Sequence, residues 1–265
     1  MLNLAQVRAI TLDLDDTLWP ILPTLERAEA RLQSWLDAEA PATADQWRAP
    51  EYRRALRAEI NRDHAAHAHD MSHLRREMIA LALRRAGDDA ALAEPAFEVF
   101  FAARQCVECY ADALPALERL AARYPLVSLS NGNADLHRVG LGAHFKAQVS
   151  AREAGVAKPD PRIFSLAAEV AGVAPHQVLH IGQAHGVLVD QTVQAAWRGH
   201  HDVGSAAQRH HLRIDRDAAK HHGHFHGLGQ VLGQAAHHLT HLGGELACGH
   251  QNQRAHPPRC VGRTG

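Results

Sequence analysis

The segment Ile10–Leu18, ITLDLDDTL, places three carboxylates at the end of an apolar run near the N-terminus. Residues 7–14 have the apolar, β-branched composition of a buried strand. Because unpaired charge is costly inside a sheet, we expect the strand to end here, with Asp13 and Asp15 at its carboxyl edge. Ligands bind at that edge in doubly wound α/β sheets. The alternative is a solvated or capping turn, since Asp-Asp-Thr also suits a helix start.

The composition is that of a globular protein, with 265 residues, 46% of them apolar, and a formal net charge of −1. This charge balance gives no reason to expect a nucleic acid or a membrane as a partner. No apolar run reaches the ~20 residues of a membrane-spanning helix, and the start lacks the layout of a secretory signal. The four cysteines do not suggest a disulfide framework, so we expect a cytoplasmic protein.

The segment 24–112 is predicted to be almost wholly helical, because apolar residues recur every three to four positions. Thr24 and Ser72 are the expected N-caps of the first two long helices. Cys106 and Cys109 lie in the third predicted helical segment, residues 94–112, and are expected as two buried thiols on one helix face. The alternative is a zinc site completed by Cys248 or Cys260.

Short apolar strands alternate with helices between residues 113 and 182. This alternation predicts a parallel sheet covered on both faces. We therefore expect residues 1–20 and 113–182 to form an α/β core, with residues 21–112 as a helical insertion.

Asp13 and Asp15 have the chemistry for phosphoryl transfer. Carboxylates bind Mg²⁺, which takes a few oxygen ligands together with water and phosphate oxygens. One carboxylate can attack phosphorus, while the other acts first as general acid and then as general base. The two residues therefore predict a covalent mechanism as well as a metal site.

Two later segments add to this prediction. Ser130-Asn131-Gly132 ends the second predicted strand, where a hydroxyl and backbone N–H groups can hold phosphate oxygens. Lys158 precedes a proline and offers a point charge that suits phosphate and a carboxylate nucleophile. Taken alone, Ser130-Asn131-Gly132 would be an ordinary turn, and Lys158 would be a solvated surface charge. In this order, each at a strand end or in the following loop, they indicate a phosphate site.

The segments DLDDTL, SLSNGN and AKPDPRIF resemble the first three motifs of the haloacid dehalogenase-like hydrolases, over residues 7–182. The resemblance implies a Rossmann-like parallel sheet with an inserted α-helical cap at 21–112. It also implies Mg²⁺-dependent hydrolysis of a small phosphorylated metabolite.

By this resemblance, Asp13 is the nucleophile and Asp15 the acid and base. Mg²⁺ would be held by the Asp13 carboxylate and the backbone carbonyl of Asp15. The resemblance implies that Thr17 helps to shape the turn and that Ser130 and Asn131 contact the phosphoryl group of the substrate. It also implies that Lys158 balances negative charge at the site. The second Asp favours phosphatases over the dehalogenase branch, which lacks a carboxylate there. A 2-haloacid dehalogenase and a non-catalytic or inactive member of the family remain the alternatives.

The pattern breaks after Gly182. The family's fourth motif continues as Gly-Asp, but Gln183 stands here, and an amide is a weaker Mg²⁺ ligand than a carboxylate. We therefore expect weak metal binding and poor activity. Residues 183–265 hold 14 of the 22 histidines and show no sustained period, which predicts an irregular tail. We hypothesise a frameshifted translation of a GC-rich gene, and the alternative is a genuine His-rich metal-binding tail.

Overall fold

The computed structural model describes residues 4–182. Within this range, the strands form one parallel sheet in the order β3-β2-β1-β4, and they are β1 Ala9–Leu12, β2 Leu126–Ser130, β3 Ala147–Ser150 and β4 Val178–Ile181. All residues of β1 and β2 are buried, as expected for the central strands of a parallel sheet. Gln183 and the hypotheses about the tail lie outside the described residues.

Helices cover both faces of the sheet. The described helices are α1 Ile21–Glu39, α2 Pro41–Trp47, α3 Pro50–Asp63, α4 Met71–Ala86, α5 Ala93–Arg104, α6 Ala113–Ala121, α7 Leu136–Val139, α8 Ala151–Ala154 and α9 Pro161–Ala171. On β1, Ile10 belongs to a buried cluster with Leu117 of α6, whereas Ala9 belongs to one with Ile163 of α9. Neighbouring residues of a strand point to opposite faces, so these clusters lie on the two sides of the sheet. The predicted α/β fold with a parallel sheet is confirmed.

Helices α1 to α5 have a hydrophobic core of their own. Its buried side chains include Leu36, Trp47, Ile79 and Phe97, and it shares no residue with the two clusters of the sheet. Of the described helices, none is long and apolar enough to cross a membrane.

Both predicted helix caps are wrong. Helix α1 begins at Ile21 after Pro20, and the Thr24 hydroxyl inside the helix donates a hydrogen bond to the Pro20 carbonyl at 3.2 Å. Helix α4 is capped by Asp70, whose carboxylate accepts from the backbone N–H groups of residues 72 and 73. Ser72 is buried in the first turn of that helix.

The helical segment also ends earlier than predicted. Helix α5 ends at Arg104, and residues 105–112 are not helical. Tyr110 packs against the sheet cluster, and its backbone N–H donates to the carbonyl of Leu18 at 2.9 Å. This contact draws the chain back to the sheet and stops the helix. Cys106 and Cys109 therefore do not share a helix face, and both side chains are half-buried.

We expect Leu36→Ala to destabilise the protein by about 2–5 kcal/mol, because Leu36 is 0% exposed and the change leaves a cavity. The same substitution at Leu22, which is 64% exposed on the same helix, should change stability by less than about 0.5 kcal/mol. Urea unfolding of both variants measures the difference. Equal losses in the two variants would contradict the buried position of Leu36.

His180 of β4 should make folding stability sensitive to acid. Its Nδ1 lies 2.9 Å from the Thr11 hydroxyl, and its ring packs edge-on against Phe164. Burial lowers the pKa of His180 from 6.5 to about 4, with a further lowering from Lys158. Between these pH values the unfolded chain binds a proton that the folded chain does not, so stability falls as pH falls.

We expect His180 to account for about 1–2 kcal/mol of the stability lost between pH 7 and pH 5. Urea unfolding at both pH values measures this loss in the wild type and in His180→Gln, which should lose less. His176→Gln, at an exposed histidine, serves as the control and should behave like the wild type. An unchanged pH dependence in His180→Gln would contradict the assignment.

Candidate active site

A tight turn follows β1 and fixes the direction of its carboxylates. The Asp13 N–H continues the pairing with β4 by donating to the Ile181 carbonyl at 2.9 Å. The Leu14 carbonyl then accepts from the Thr17 N–H at 3.1 Å. Asp16 adopts a left-handed conformation, with φ of 55°, which Asp tolerates better than most residues. The chain therefore turns sharply within four residues of the strand.

Asp13 is held by an ion pair with Lys158. Their Oδ2 and Nζ atoms are 2.7 Å apart, and the side chains are only 20% and 11% exposed. The other carboxylate oxygen of Asp13 accepts from the Leu14 N–H at 2.9 Å. Both oxygens thus have a partner, which fixes the orientation of the carboxylate.

Asn131 positions Lys158. Its amide makes a reciprocal pair of hydrogen bonds with the Lys158 backbone, accepting from the N–H at 2.7 Å and donating to the carbonyl at 3.0 Å. The end of β2 therefore holds the loop that carries Lys158 against the end of β1.

Asp15 is held by two residues that the sequence analysis did not identify. One terminal nitrogen of Arg104, Nη2, lies 2.7 Å from each Asp15 carboxylate oxygen, and the Trp19 indole N–H donates to Oδ1 at 2.9 Å. The Arg104 side chain is 2% exposed and comes from the end of α5. Burial raises the pKa of Asp15 above its usual value, although Arg104 and Trp19 partly oppose this.

Gly132 lets Asp15 and the end of β2 approach each other. A side-chain carbon at Gly132 would lie 2.4 Å from Asp15 Oδ2, which no real contact allows, and 3.4 Å from the Ser130 hydroxyl. The Gly132 N–H donates to that hydroxyl at 3.0 Å. Ser130 and Asp15 are therefore close neighbours, and glycine is required between them.

Thr17 lies inside the turn. It is 1% exposed, and its hydroxyl has no hydrogen-bond partner among the described residues. Its backbone N–H donates to the Leu14 carbonyl, which suits the expected turn-shaping role. Direct binding of substrate by Thr17 stays a prediction.

A cleft of about 390 Å³ opens beside Asp15. Its lining includes three residues from the sheet edge and three arginines from the helical insertion, namely Asp15, Asn131, Gly132, Arg57, Arg75 and Arg104. Asp13 and Lys158 are not among the lining residues. A larger groove of about 650 Å³ contains none of the six predicted site residues, so we take the smaller cleft as the one that belongs to the site.

Comparison with known proteins identifies the family. A family model for haloacid dehalogenase-like hydrolases matches residues 7–184. The chain is 29% identical over 202 residues to the 5-amino-6-(5-phospho-D-ribitylamino)uracil phosphatase YigB of Escherichia coli, spanning 73% of this chain and 84% of that protein. It is 36% identical over 107 residues to a phosphoserine phosphatase of Thermus thermophilus, spanning 38% of this chain and 43% of that one.

A solved structure agrees with this assignment. The crystal structure of a 2-haloacid dehalogenase from Pseudomonas syringae pv. tomato matches with a TM-score of 0.63 and 35% identity, covering 67% of this chain and 78% of that one. The motifs, the parallel sheet and these matches lead to one conclusion: the chain belongs to the haloacid dehalogenase-like hydrolases.

Proposed function

We propose that this hydrolase is a Mg²⁺-dependent phosphatase that cleaves a small phosphate monoester through an aspartyl-phosphate. The observation that carries the proposal is the second carboxylate, Asp15, which lines the cleft two residues after the Lys158-paired Asp13. Acid catalysis needs a carboxyl group that holds a proton near neutral pH, and burial raises the pKa of Asp15 in that direction. The relatives named as phosphatases support the same reaction class.

In the first half of the reaction, the Asp13 carboxylate attacks phosphorus. A bond forms between its oxygen and phosphorus, and the bond from phosphorus to the ester oxygen breaks. Asp15 gives its proton to the departing oxygen, so the leaving group departs as a neutral alcohol. Lys158 holds Asp13 in place at 2.7 Å and offsets negative charge near the phosphoryl group.

In the second half, water hydrolyses the aspartyl-phosphate. Asp15, now ionised, takes a proton from the water as its oxygen attacks phosphorus. The bond between phosphorus and Asp13 breaks, which releases inorganic phosphate and restores both carboxyl groups. We assign the hydroxyl of Ser130 and nearby backbone N–H groups as the donors to the phosphoryl oxygens.

The donor set fits Mg²⁺. Within residues 4–182, no three His, Cys, Asp or Glu side chains are grouped to hold a metal ion together. Mg²⁺ does not require such a group, because it keeps several waters and binds through one or two carboxylates and substrate phosphate oxygens. Asp13 and the backbone carbonyl of Asp15 would hold it, and when bound it supplies positive charge to the phosphoryl oxygens. The expected weakening by Gln183 concerns a residue outside the described range.

The substrate is proposed only as a small phosphate monoester. The relatives act, by their names, on 5-amino-6-(5-phospho-D-ribitylamino)uracil and on phosphoserine, so both esters belong in the first substrate panel. Dehalogenation is the second candidate, because the matching crystal structure is that of a 2-haloacid dehalogenase. Halide release from a 2-haloacid without phosphatase activity would favour that candidate.

We expect Asp13→Asn to abolish hydrolysis of p-nitrophenyl phosphate in the presence of Mg²⁺, because an amide cannot act as the nucleophile. Phosphate release by purified wild type and variant measures this. The matched control is Asp16→Asn, in which Asn keeps the left-handed turn and can accept the Ile21 N–H bond.

Asp16→Asn should retain most of the activity. Wild-type turnover that persists in Asp13→Asn would overturn the nucleophile assignment. Absence of turnover in the wild type with every ester tested would favour the non-catalytic or inactive alternative.

Arg104 is expected to position Asp15 for catalysis. In Arg104→Met, Asp15 loses the guanidinium nitrogen 2.7 Å from both of its oxygens, and kcat should fall by about 10²-fold. KM should change much less, because the phosphoryl site at Asp13 is left intact. Steady-state kinetics on the same ester separate the two constants.

Arg104→Lys, which keeps the charge, should recover part of kcat. Melting curves of both variants show whether they are folded at the assay temperature. A fall in kcat and a rise in KM of equal size, or no recovery in Arg104→Lys, would contradict a positioning role.

A further inference from the structure

The cleft beside Asp15 is placed to hold the leaving group of the substrate. Asp15 lines it, whereas Asp13 and Lys158 do not. The departing oxygen must lie next to Asp15, with phosphorus on the side of Asp13. The rest of the leaving group then extends from Asp15 into the cleft. This step rests on the proposed phosphatase function.

The cleft has an apolar wall. Its volume of about 390 Å³ falls within the range of roughly 300–1,000 Å³ that is usual for small-molecule sites. The apolar side chains come from α1, α3, α4 and α5, and they include Ile60, Met71, Leu74, Met78 and Phe100. Met71 is 43% exposed, which is unusual for a large apolar residue in the described part of the chain. The body of the leaving group therefore meets a mainly apolar surface.

Of the three arginines that line the cleft, one has no acidic partner among the described residues. Arg104 is paired with Asp15, and Arg75 is paired with Glu29 at 2.6 Å while lying over the Phe100 ring. Arg57 has no ion pair within residues 4–182. Among the described residues that line the cleft, Asp15 is the only acid.

Helix α3 presents Arg57 together with other cleft residues. Ile60 and Asn61 follow it by three and four positions, so all three share one face of the helix. Each of them lines the cleft. Arg57 is exposed, so its guanidinium can reach a ligand without a prior rearrangement of the core. An arginine with hydrogen-bonding neighbours of this kind suits a carboxylate or phosphate.

We propose that Arg57 selects phosphate monoesters whose leaving group carries a second anionic group. That group binds the Arg57 guanidinium, and the apolar part of the leaving group packs against Met71 and Phe100. Arg57 is thus a specificity residue of the cleft and takes no part in the transfer of the phosphoryl group.

The experiment compares phenyl phosphate with para-carboxyphenyl phosphate, which differ by one carboxylate. It uses the full chain with Mg²⁺ and the variants Arg57→Gln and Arg57→Lys. The control is Arg54→Gln, because Arg54 lies one turn earlier on α3, pairs with Glu51 and does not line the cleft. The wild type should prefer the carboxylated ester in kcat/KM.

Arg57→Gln should reduce this preference by about 5- to 30-fold, mainly through KM for the carboxylated ester. Arg57→Lys should keep part of the preference, and Arg54→Gln should keep all of it. Equal kcat/KM values of the wild type for the two esters would overturn the proposal. An unchanged preference in Arg57→Gln, or the same loss in Arg54→Gln, would also do so.

A binding measurement separates this proposal from the proposed function. Phenylphosphonate and para-carboxyphenylphosphonate cannot be hydrolysed as esters, so calorimetric titration compares their Kd values without turnover. A tighter Kd for the carboxylated compound that is lost in Arg57→Gln supports the role of Arg57 even if no ester is cleaved. Equal Kd values in the wild type overturn it even if phosphatase activity is present.

Discussion

Two carboxylates at the end of a buried strand need cations beside them. Removing a charge from water costs several kcal/mol unless an opposite charge replaces the lost hydration. Asp13 is 20% and Asp15 21% exposed, and each lies 2.7 Å from a cationic nitrogen. Lys158 comes from the loop before α9 and Arg104 from the end of α5. The first strand therefore constrains both the core and the helical insertion, because each must deliver a cation to it.

The sequence predicts the elements of the fold correctly where residues close together in the chain determine the local structure. The strands lie where apolar runs meet turn residues, and their parallel order follows from the helices between them. The two predicted helix N-caps were wrong for a physical reason. Thr24 and Ser72 are both good capping residues. However, helix α1 already begins after Pro20, and helix α4 already begins after Asp70. Residues 105–112 leave the helix where Tyr110 bonds to Leu18 and packs against a hydrophobic cluster of the sheet, a contact that no helical period reveals.

Some contacts of the candidate site could likewise be predicted from the sequence, whereas others could not. Asp13 follows the end of β1 and Lys158 lies in a later loop, so their contact at 2.7 Å could be inferred from sequence order. Arg104 lies 89 residues from Asp15 in a helix with an ordinary apolar pattern, and no spacing indicates that contact. Gly132 was visible as part of an Asn-Gly turn. Its actual constraint, the 2.4 Å approach of a side-chain carbon to Asp15, arises only in three dimensions.

The residues proposed for the phosphoryl transfer and those proposed for substrate selection lie on different elements of the fold. The residues proposed for bond making and breaking lie on the short, buried ends of strands, where packing and ion pairs hold them to a fixed geometry. The cleft wall is built mainly from residues of α3, α4 and α5, which belong to a group of helices with its own hydrophobic core. Those helix residues line the cleft beside Asp15, whereas Asp13 and Lys158 do not. Arg104 is the exception, since it lies at the end of α5 yet pairs with Asp15 at 2.7 Å. Through this one side chain, the position of α5 is tied to the orientation of the Asp15 carboxylate, which we propose as the general acid.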